Sequence, residues 1–517
     1  MDGSTPRRWW ALGAVNLSVL AVSLDGTVLS VAQPTLSSAL DASQSDLVWF
    51  SSGYLLVLAA TVLPVGLIGD RYGRRAVLLS SLVLFGLGSA LCAYAGSVAM
   101  FLGGRLLQGL AGAGITVMAL SALVVLFDEE ERPKAVGIYQ AASFIALPLG
   151  PILGGWMLSR FWWGWVFLIN VPIVVVALVI GFLLIPESRS TQRPGLDPVG
   201  TAASALGLAV MTYGLVRAGD HGWGSPDALM ATAAGVLVLA GFVWWEHRLG
   251  ACPGGQPLVD PRLLRPSRFL WGSVLAALAG LVMIGVLFTL PQYFQGVQGT
   301  GTLGSGLRLL PLIAGMVVGA GLASRLAVGI GLRLTIMLGF LVLAAGLAAG
   351  AATSPGSAIG FTATWTALVG AGSGLALSAA TAAALAGLSA DRSGTESALV
   401  QAFNKTGAPL GTAITGSVLV AAYHSHLGSD HLPAAVAAQA RTSLYEGTTA
   451  ARDAGLPGLV HTIQSAFVDG MSVAFLTGVA IALAGAVVAL VALRERGSRA
   501  SDERPLAEEG IVDAVAH

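Results

Sequence analysis

The sequence predicts an all-α membrane protein: 14 transmembrane helices, built as two six-helix bundles related by a pseudo-twofold repeat plus two inserted central helices. Three observations predict it: an apolar composition, apolar runs of about 20 residues, and motifs that recur at a nearly constant offset. Of the 517 residues, 55% are hydrophobic and 10% are charged. Soluble domains are about one quarter charged. This composition excludes a soluble enzyme, a disordered chain and a disulfide scaffold.

The charge balance and the polar residues argue against nucleic acid, metal ions and cofactors as partners. Lys plus Arg equals Asp plus Glu, 27 each, so no basic excess indicates nucleic acid. Cys92 and Cys252 are poorly placed to pair. Histidines 424, 426 and 431 lie in one polar stretch without further ligands, so we expect no metal and no cofactor. The phosphate-binding pattern GxxxxGK[ST] is absent, so direct use of ATP is not expected.

The apolar runs are long enough to cross a bilayer as helices, which need about 20 residues. Alternating strands of about ten residues would instead indicate a barrel. The 14 predicted spans are 11–32, 47–68, 76–95, 98–120, 135–158, 164–185, 197–217, 226–245, 268–290, 303–324, 331–351, 357–386, 395–422 and 469–493.

Basic residues between the spans predict the orientation. With the N-terminus in the cytoplasm, 20 of the 27 Lys and Arg residues fall in inner segments and four in outer ones. The cytoplasmic excess of Lys and Arg therefore predicts that both termini lie in the cytoplasm. It also favours an even number of spans, because one missed helix would scramble the alternation.

Short motifs recur between the two halves of the chain. Gly112-Ala113-Gly114 matches Gly372-Ser373-Gly374 at an offset of 260, and Pro148-Leu149-Gly150 matches Pro409-Leu410-Gly411 at 261. Parallel repeats of this kind occur in secondary transporters, whose sites lie between the halves. The predicted units are an N-terminal bundle (1–190), two inserted helices (195–247), a C-terminal bundle (266–494) with an extracytoplasmic loop at 423–468, and a disordered cytoplasmic tail (495–517).

Asp25 is the only acid predicted deep inside the membrane. A charge there costs several kcal/mol unless it is paired, so a functional role is the default hypothesis. With a rise of 1.5 Å per residue, Asp25 on the first span and Arg105 on the fourth lie at similar depth in the outer half of the bilayer. A direct or water-bridged contact between them is feasible, and a static structural pair is the alternative to a functional one. Gln108, three residues after Arg105, shares its helix face.

Five segments resemble the signatures of one family: SLDGTVLSVAQP at 23–34, GLIGDRYGRR at 66–75, RLLQGLAGAG at 105–114, LPLGPILGG at 147–155 and WVFLINVP at 165–172. Together they look like the major facilitator superfamily, and within it the fourteen-helix drug:proton antiporter branch. The resemblance implies a membrane transporter that is not an enzyme. It assigns proton coupling to Asp25 and Arg105.

The resemblance also assigns roles to two groups of residues. The loop after the second span is implied to be a cytoplasmic latch that holds one state of the transporter, made of Gly66, Asp70, Arg71, Gly73, Arg74 and Arg75. The fifth span is implied to carry an exporter motif that lets the helix bend and pack closely, made of Pro148, Gly150, Pro151, Gly154 and Gly155.

A substrate cavity is expected between the halves, and its candidate residues are chosen by depth and polarity. They are Tyr54, Gln108, Tyr139, Gln140, Phe144, Asn170, Tyr293, Trp365, Gln401, Asn404 and Lys405. Gln401 and Lys405 share a helix face, and Lys405 lies too deep to reach the interface easily. Its charge favours a neutral or anionic substrate, a lysine displaced by protons during coupling, or a structural ion pair.

The predicted function is proton-coupled export of a hydrophobic or amphiphilic drug or antibiotic across the cytoplasmic membrane, conferring resistance. Partners would be the small molecule, protons and the lipid bilayer, with the chain acting as a monomer. The alternatives are a membrane sensor or scaffold that transports nothing, or an exporter of an endogenous lipid or secondary metabolite. Only two of the 27 cationic residues are lysines, which indicates a GC-rich bacterial genome.

Overall fold

The computed structural model describes residues 5–127, 132–189, 197–252, 268–385, 393–428 and 433–493, and the regular structure in these ranges is helical. The helices are α1 (Thr5–Leu40), α2 (Gln44–Tyr72), α3 (Arg74–Ala93), α4 (Val98–Leu126), α5 (Arg132–Arg160), α6 (Trp165–Leu168), α7 (Asn170–Leu184), α8 (Pro198–His221), α9 (Pro226–Ala251), α10 (Arg268–Gln292), a π-helical turn (Tyr293–Val297), α11 (Thr302–Arg308), α12 (Leu310–Ala351), α13 (Ile359–Leu385), α14 (Ser393–His426), α15 (Ala434–Thr442), α16 (Leu444–Asp453) and α17 (Pro457–Ala492).

Most helices extend beyond the apolar run that predicted them, because a helix continues until its backbone is capped. Ser43 begins α2 with a capping box: its side chain accepts from the Asp46 amide, and the Asp46 carboxylate accepts from the Ser43 amide at 2.9 Å. Asp197 caps the start of α8 with its side chain, which accepts from the amides of Val199 and Gly200. The hydrophobic pattern therefore locates each helix, whereas short polar side chains set its ends.

At two places a single glycine breaks the helical backbone between consecutive spans. Gly73, with φ of +129°, separates α2 from α3, and Gly331, with φ of +81°, interrupts α12. Only glycine adopts such angles without strain. The two positions are near-equivalent in the predicted repeat, so both halves turn the chain by the same device.

Eleven segments of the described chain are long and apolar enough to cross a membrane. One of them, Thr302–Ala351, has 50 residues, spans α11 and α12, and contains the break at Gly331. The chain is thus a multi-pass membrane protein. The predicted total of 14 spans is not fixed by these segments alone.

The helices pack in two sets that meet at a few helices. α1 packs on α5 and α7, while α3 and α2 pack on α4; α10 packs on α13, α14 and α17, while α12 packs on α13 and α17. α8 packs on α9 and touches both α2 and α14. Only 11% of the most apolar stretch of α9 is buried, as expected of a helix at the lipid-facing edge. The domain boundaries drawn from the sequence stay a prediction.

The predicted extracytoplasmic loop at 423–468 is shorter than expected, because α14 continues to His426 and α17 begins at Pro457. The two short helices α15 and α16 lie between them, and α16 contacts the end of α1.

Burial raises the pKa of the Glu446 carboxyl on α16, and the negative charge of Asp41 next to α1 raises it further. The predicted tail lies outside the described residues.

Close helix contacts depend on positions without a side chain, and Gly370 on α13 is the clearest test. A Cβ there would overlap the Leu312 carbonyl oxygen of α12, whereas Gly360 on the same helix has open space around it. We expect Gly370→Val to lower stability by about 1–3 kcal/mol through overpacking, measured as the midpoint of thermal unfolding in detergent. Gly360→Val is the matched control and should leave the midpoint nearly unchanged; equal effects of the two would contradict this packing.

Candidate functional site

An ion pair lies deep in the first set of helices. Asp25 on α1 and Arg105 on α4 are each 1% exposed, and Arg105 Nη1 lies 2.5 Å from Asp25 Oδ2. The contact anticipated from their similar depth is therefore direct. In a low-dielectric interior such a pair persists only if its remaining polar atoms are also bonded.

Two side-chain amides bond the other oxygen of the carboxylate. Gln108 Nε2 donates to Asp25 Oδ1 at 2.9 Å, and Asn170 Nδ2 donates to the same oxygen at 3.0 Å. With the hydrogen bond from Arg105, the Asp25 carboxylate accepts from three N–H donors. The structure therefore places Gln108 and Asn170, both predicted to line a substrate cavity, in contact with Asp25.

The guanidinium of Arg105 is bonded on several sides. Its Nε donates to the Phe50 carbonyl of α2 at 3.2 Å, and its Nη1 donates to Gln108 Oε1 at 2.8 Å. Its carbon lies 4.2 Å from the centre of the Tyr54 ring, a cation–π contact. Tyr54, another cavity candidate, thus packs against the ion pair and is 2% exposed.

Sequence reasoning missed two residues of α3 that complete this site. Ser89 Oγ accepts from Gln108 Nε2 at 2.9 Å and from Asn170 Nδ2 at 3.3 Å. Cys92 Sγ lies 3.5 Å from Gln108 Oε1. A Ser or Cys in an apolar span gives no signal by itself; the only hint was glycine at 88 and 104, which lets α3 and α4 approach. We name Asp25, Ser89, Arg105, Gln108 and Asn170 the polar centre.

The predicted latch contains one ion pair and one unexpected cap. Asp70 and Arg74 pair at 2.8 Å across the turn between α2 and α3, and both are partly exposed. The carboxylate of Glu187, just after α7, accepts from the backbone amides of Arg75 and Ala76 at 3.2 Å each. An acid at a helix N-terminus bonds free amides and complements the dipole. Glu187 was not predicted, although an acid directly after an apolar span was the available signal.

The other latch residues pack around this turn. A Cβ at Gly73 would overlap the Glu187 carboxylate, and one at Gly69 would overlap the Met118 side chain of α4. A Cβ at Gly66 would touch Val117. Arg71 lies over the Tyr72 ring at 5.7 Å, and Arg75 lies over the Phe182 ring at 4.8 Å. The residues form one structural cluster, and its action as a latch stays a prediction.

The glycines of the predicted exporter motif sit at two helix interfaces. A Cβ at Gly150 or Gly154 would overlap α1, and one at Gly155 would overlap the backbone of Thr302 on α11. Pro151 contributes its carbonyl oxygen to the close approach of Gly306, also on α11. The side chain of Pro148 lies outside the described residues. α5 therefore joins α1 to the second half of the chain.

The structure describes the side chains of some of the remaining cavity candidates and not of others. Tyr139 is buried in the core of the first half. Tyr293 Oη donates to the Ser354 carbonyl at 3.0 Å, and Trp365 is buried edge-to-face against Phe475 with ring centres 5.4 Å apart. Whether these residues line a cavity stays a prediction. The side chains that lie outside the described part of the chain are those of Gln140, Phe144, Gln401, Asn404 and Lys405.

Comparison with known proteins decides the family. The sequence profile of the Major Facilitator Superfamily matches residues 15–412, more than half of the chain. The chain belongs to the Major Facilitator Superfamily. This confirms the resemblance drawn from the five motifs, and it makes the chain a transporter of a family whose members are not enzymes.

Two relatives of similar length are named for export or efflux. The chain is 33% identical to the tetracenomycin C resistance and export protein of Streptomyces glaucescens, covering 98% of this chain and 95% of the relative. It is 32% identical to the multidrug efflux pump LfrA of Mycolicibacterium smegmatis, covering 95% and 97%. An inward-facing bacterial homologue of the lysosomal transporter Spinster shares the fold, with a TM-score of 0.66, 19% identity, and coverage of 95% of this chain and 98% of that one.

The burial of the ion pair predicts an asymmetry between single and double variants. Arg105→Leu leaves the Asp25 carboxylate without its cation, which should destabilise the protein by about 3–5 kcal/mol unless the carboxyl takes up a proton. Asp25→Asn together with Arg105→Leu removes both charges and should recover most of that loss. Thermal unfolding in detergent measures both; a double variant no more stable than Arg105→Leu would contradict the pairing.

Proposed function

We propose that this chain exports an amphiphilic drug or antibiotic by exchanging it for protons. The observation that carries the proposal is the buried Asp25–Arg105 pair, whose partners come from five helices, α1 to α4 and α7. A carboxylate so deep in a membrane protein is expensive to keep, and unlike an amide it can bind a proton reversibly as well as pair with Arg105. Relatives whose names describe resistance, export or multidrug efflux support the direction of transport.

The energy source is adequate for such an exchange. A proton entering the cell gains about 2.3 kcal/mol per 100 mV of membrane potential. Each unit of pH difference adds about 1.4 kcal/mol. One proton can therefore drive a concentration ratio of more than tenfold for a neutral substrate at ordinary gradients. Asp25 would carry this proton, with Arg105 as the competing cation.

A topology of fourteen spans in the cytoplasmic membrane, with both termini inside, fits this function. The eleven apolar segments become twelve if Thr302–Ala351 is divided at Gly331, and the helices α5 and α14 add two more. α1–α7 and α10–α17 would be the two bundles, with α8 and α9 inserted between them. α14 would bring Lys405, Gln401 and Asn404 to the second half's side of a central cavity, where the lysine favours neutral or anionic cargo.

Contacts between the two halves support alternating access. Thr302 Oγ1 donates to the Gly155 carbonyl at 2.9 Å, and Gln295 Nε2 donates to the Val31 carbonyl at 3.0 Å. Gln44 Nε2 donates to Gln292 Oε1. In the proposed orientation all three hydrogen bonds lie toward the outside. We name them the outer seam: it would be closed in this state and would part when cargo leaves.

A membrane sensor that transports nothing is the alternative function, and a flux assay separates the two. In proteoliposomes with a proton gradient, an exporter moves substrate against its concentration and releases protons in return. A sensor would bind the compound without either flux. The resistance profile of a sensitive host expressing the chain would identify the compound, whether foreign or made by the cell.

Replacing the proposed proton carrier should uncouple the protein. We expect Asp25→Asn to abolish proton-driven export while the protein still reaches the membrane, because an amide keeps the shape but binds no proton at ordinary pH. Substrate accumulation in inverted vesicles, with and without a proton gradient, measures this. Ser18→Ala, a buried change two turns earlier on α1, is the control. Export by Asp25→Asn at the normal rate would remove Asp25 from the mechanism.

Locking the outer side should stop turnover. Ser37 Oγ at the end of α1 lies 3.2 Å from Ser443 Oγ at the start of α16, so cysteines at both positions are close enough to form a disulfide. We expect the oxidised double variant Ser37→Cys with Ser443→Cys to lose export and to recover it on reduction. The single-cysteine variants serve as controls. Full export by the cross-linked protein would show that the two elements need not separate.

A further inference from the structure

Among the described side chains that donate directly to Asp25, Asn170 is the one that does not come from α4. It is the first residue of α7, is 1% exposed, and donates from Nδ2 to Asp25 Oδ1 at 3.0 Å. Its amide nitrogen also lies 3.3 Å from Ser89 Oγ on α3, which holds the side chain from a second direction. α7 packs on both α1 and α3. Asn170 is therefore fixed by its surroundings and aimed at the carboxylate.

The two oxygens of Asp25 have different partners. Oδ1 accepts only from neutral amides among the described residues, Gln108 at 2.9 Å and Asn170 at 3.0 Å. Oδ2 accepts from the cationic Arg105 at 2.5 Å. A carboxylate held in this way has one oxygen for orientation and one for charge pairing.

Protonation of Asp25 has different consequences at its two oxygens. On Oδ2 it forms an O–H bond and displaces the hydrogen bond from Arg105 Nη1, so the site changes from neutral to singly positive. Arg105 keeps its bonds to the Phe50 carbonyl and Gln108 Oε1. Oδ1 becomes the carbonyl oxygen of the neutral acid and still accepts from both amides. A proton on Oδ1 would instead displace two donors at once and leave Arg105 paired with the oxygen that stays unprotonated.

We propose that Asn170 is a positioning residue for proton exchange: by holding Oδ1, it directs the proton to Oδ2 and sets the pH at which Asp25 loads. The inference rests on the proposed function, since it assumes that Asp25 is the carrier. An amide suits this role because it has no charge to titrate and donates to Oδ1 in both protonation states, more strongly when the acceptor is the carboxylate. Gln108 helps, but it lies on α4 beside Arg105; Asn170 alone approaches from outside the α1–α4 contact.

The test titrates Asp25 directly in purified protein. Infrared difference spectra report the carboxylic C=O stretch, and the band that Asp25→Asn removes belongs to Asp25. Asn170→Leu keeps the size of the side chain but deletes a donor that favours the ionised form. We expect the midpoint of this band to move up by about one pH unit, equivalent to ~1.4 kcal/mol. Asn16→Leu on α1, the same chemical change away from Asp25, should leave the midpoint in place.

Transport gives a second readout that a merely structural role would not move. The pH of half-maximal export should shift upward in Asn170→Leu by the same amount, while the KM for substrate stays within about twofold. Asn170→Ser, which keeps a small donor, should fall between the wild type and Asn170→Leu in both assays. If Asn170→Leu does not fold, Asn170→Ser carries the test alone.

Each outcome has a separate meaning. A shifted midpoint in Asn170→Leu, unmoved in Asn16→Leu, supports the positioning role. An unshifted midpoint, or a lower maximal rate at every pH with no shift, overturns it and leaves Asp25 as the carrier. If Asp25→Asn removes no titrating band and export stays proton-driven, the proposed function fails instead. A change confined to KM would place Asn170 in the substrate path and also overturn the inference.

Discussion

The contact between Asp25 and Arg105 governs the arrangement of the first half of the molecule. Two charges withdrawn from water lose several kcal/mol of solvation each, and their attraction recovers it only with good geometry and further hydrogen bonds. The chain meets this demand with two side-chain amides, a backbone carbonyl and an aromatic face, drawn from α2, α4 and α7. Ser89 on α3 holds the amides in turn. The polar centre therefore fixes the relative rotation of five helices at once.

Such convergence is possible only where helices come close together. Without water to drive apolar surfaces together, membrane helices associate through small residues that admit a neighbouring backbone. A Cβ at Gly88 or Gly104 would overlap the facing helix, and one at Gly109 would overlap the Tyr54 carbonyl. These glycines bring α2, α3 and α4 within reach of the ion pair. The hydrogen bonds of the buried acid therefore depend on the close packing at these glycines.

The ends of the helices follow a different rule, because they lie where water and headgroups compete for the backbone. At the turn between α2 and α3 a positive-φ glycine, the Asp70–Arg74 pair and the cap from Glu187 tie three helices together. At the opposite end, hydrogen bonds between α1, α2 and α5 and the second half form the outer seam. The described partners of the polar centre all belong to α1–α7, whereas the outer seam joins these helices to the second half.

The sequence alone determined the membrane class, the approximate position of the long apolar helices and the pair of charges at the centre. Run length and charge act residue by residue along the chain, so they can be read without coordinates. The sequence put Gln108, Asn170 and Tyr54 at the depth of Asp25 but did not show that they contact the ion pair, because depth along a helix does not give rotation about its axis. Ser89 and Glu187 were missed for the same reason: their partners lie on other helices. Only the tertiary structure brings these groups within hydrogen-bond distance, since close approach and rotation arise from packing between helices.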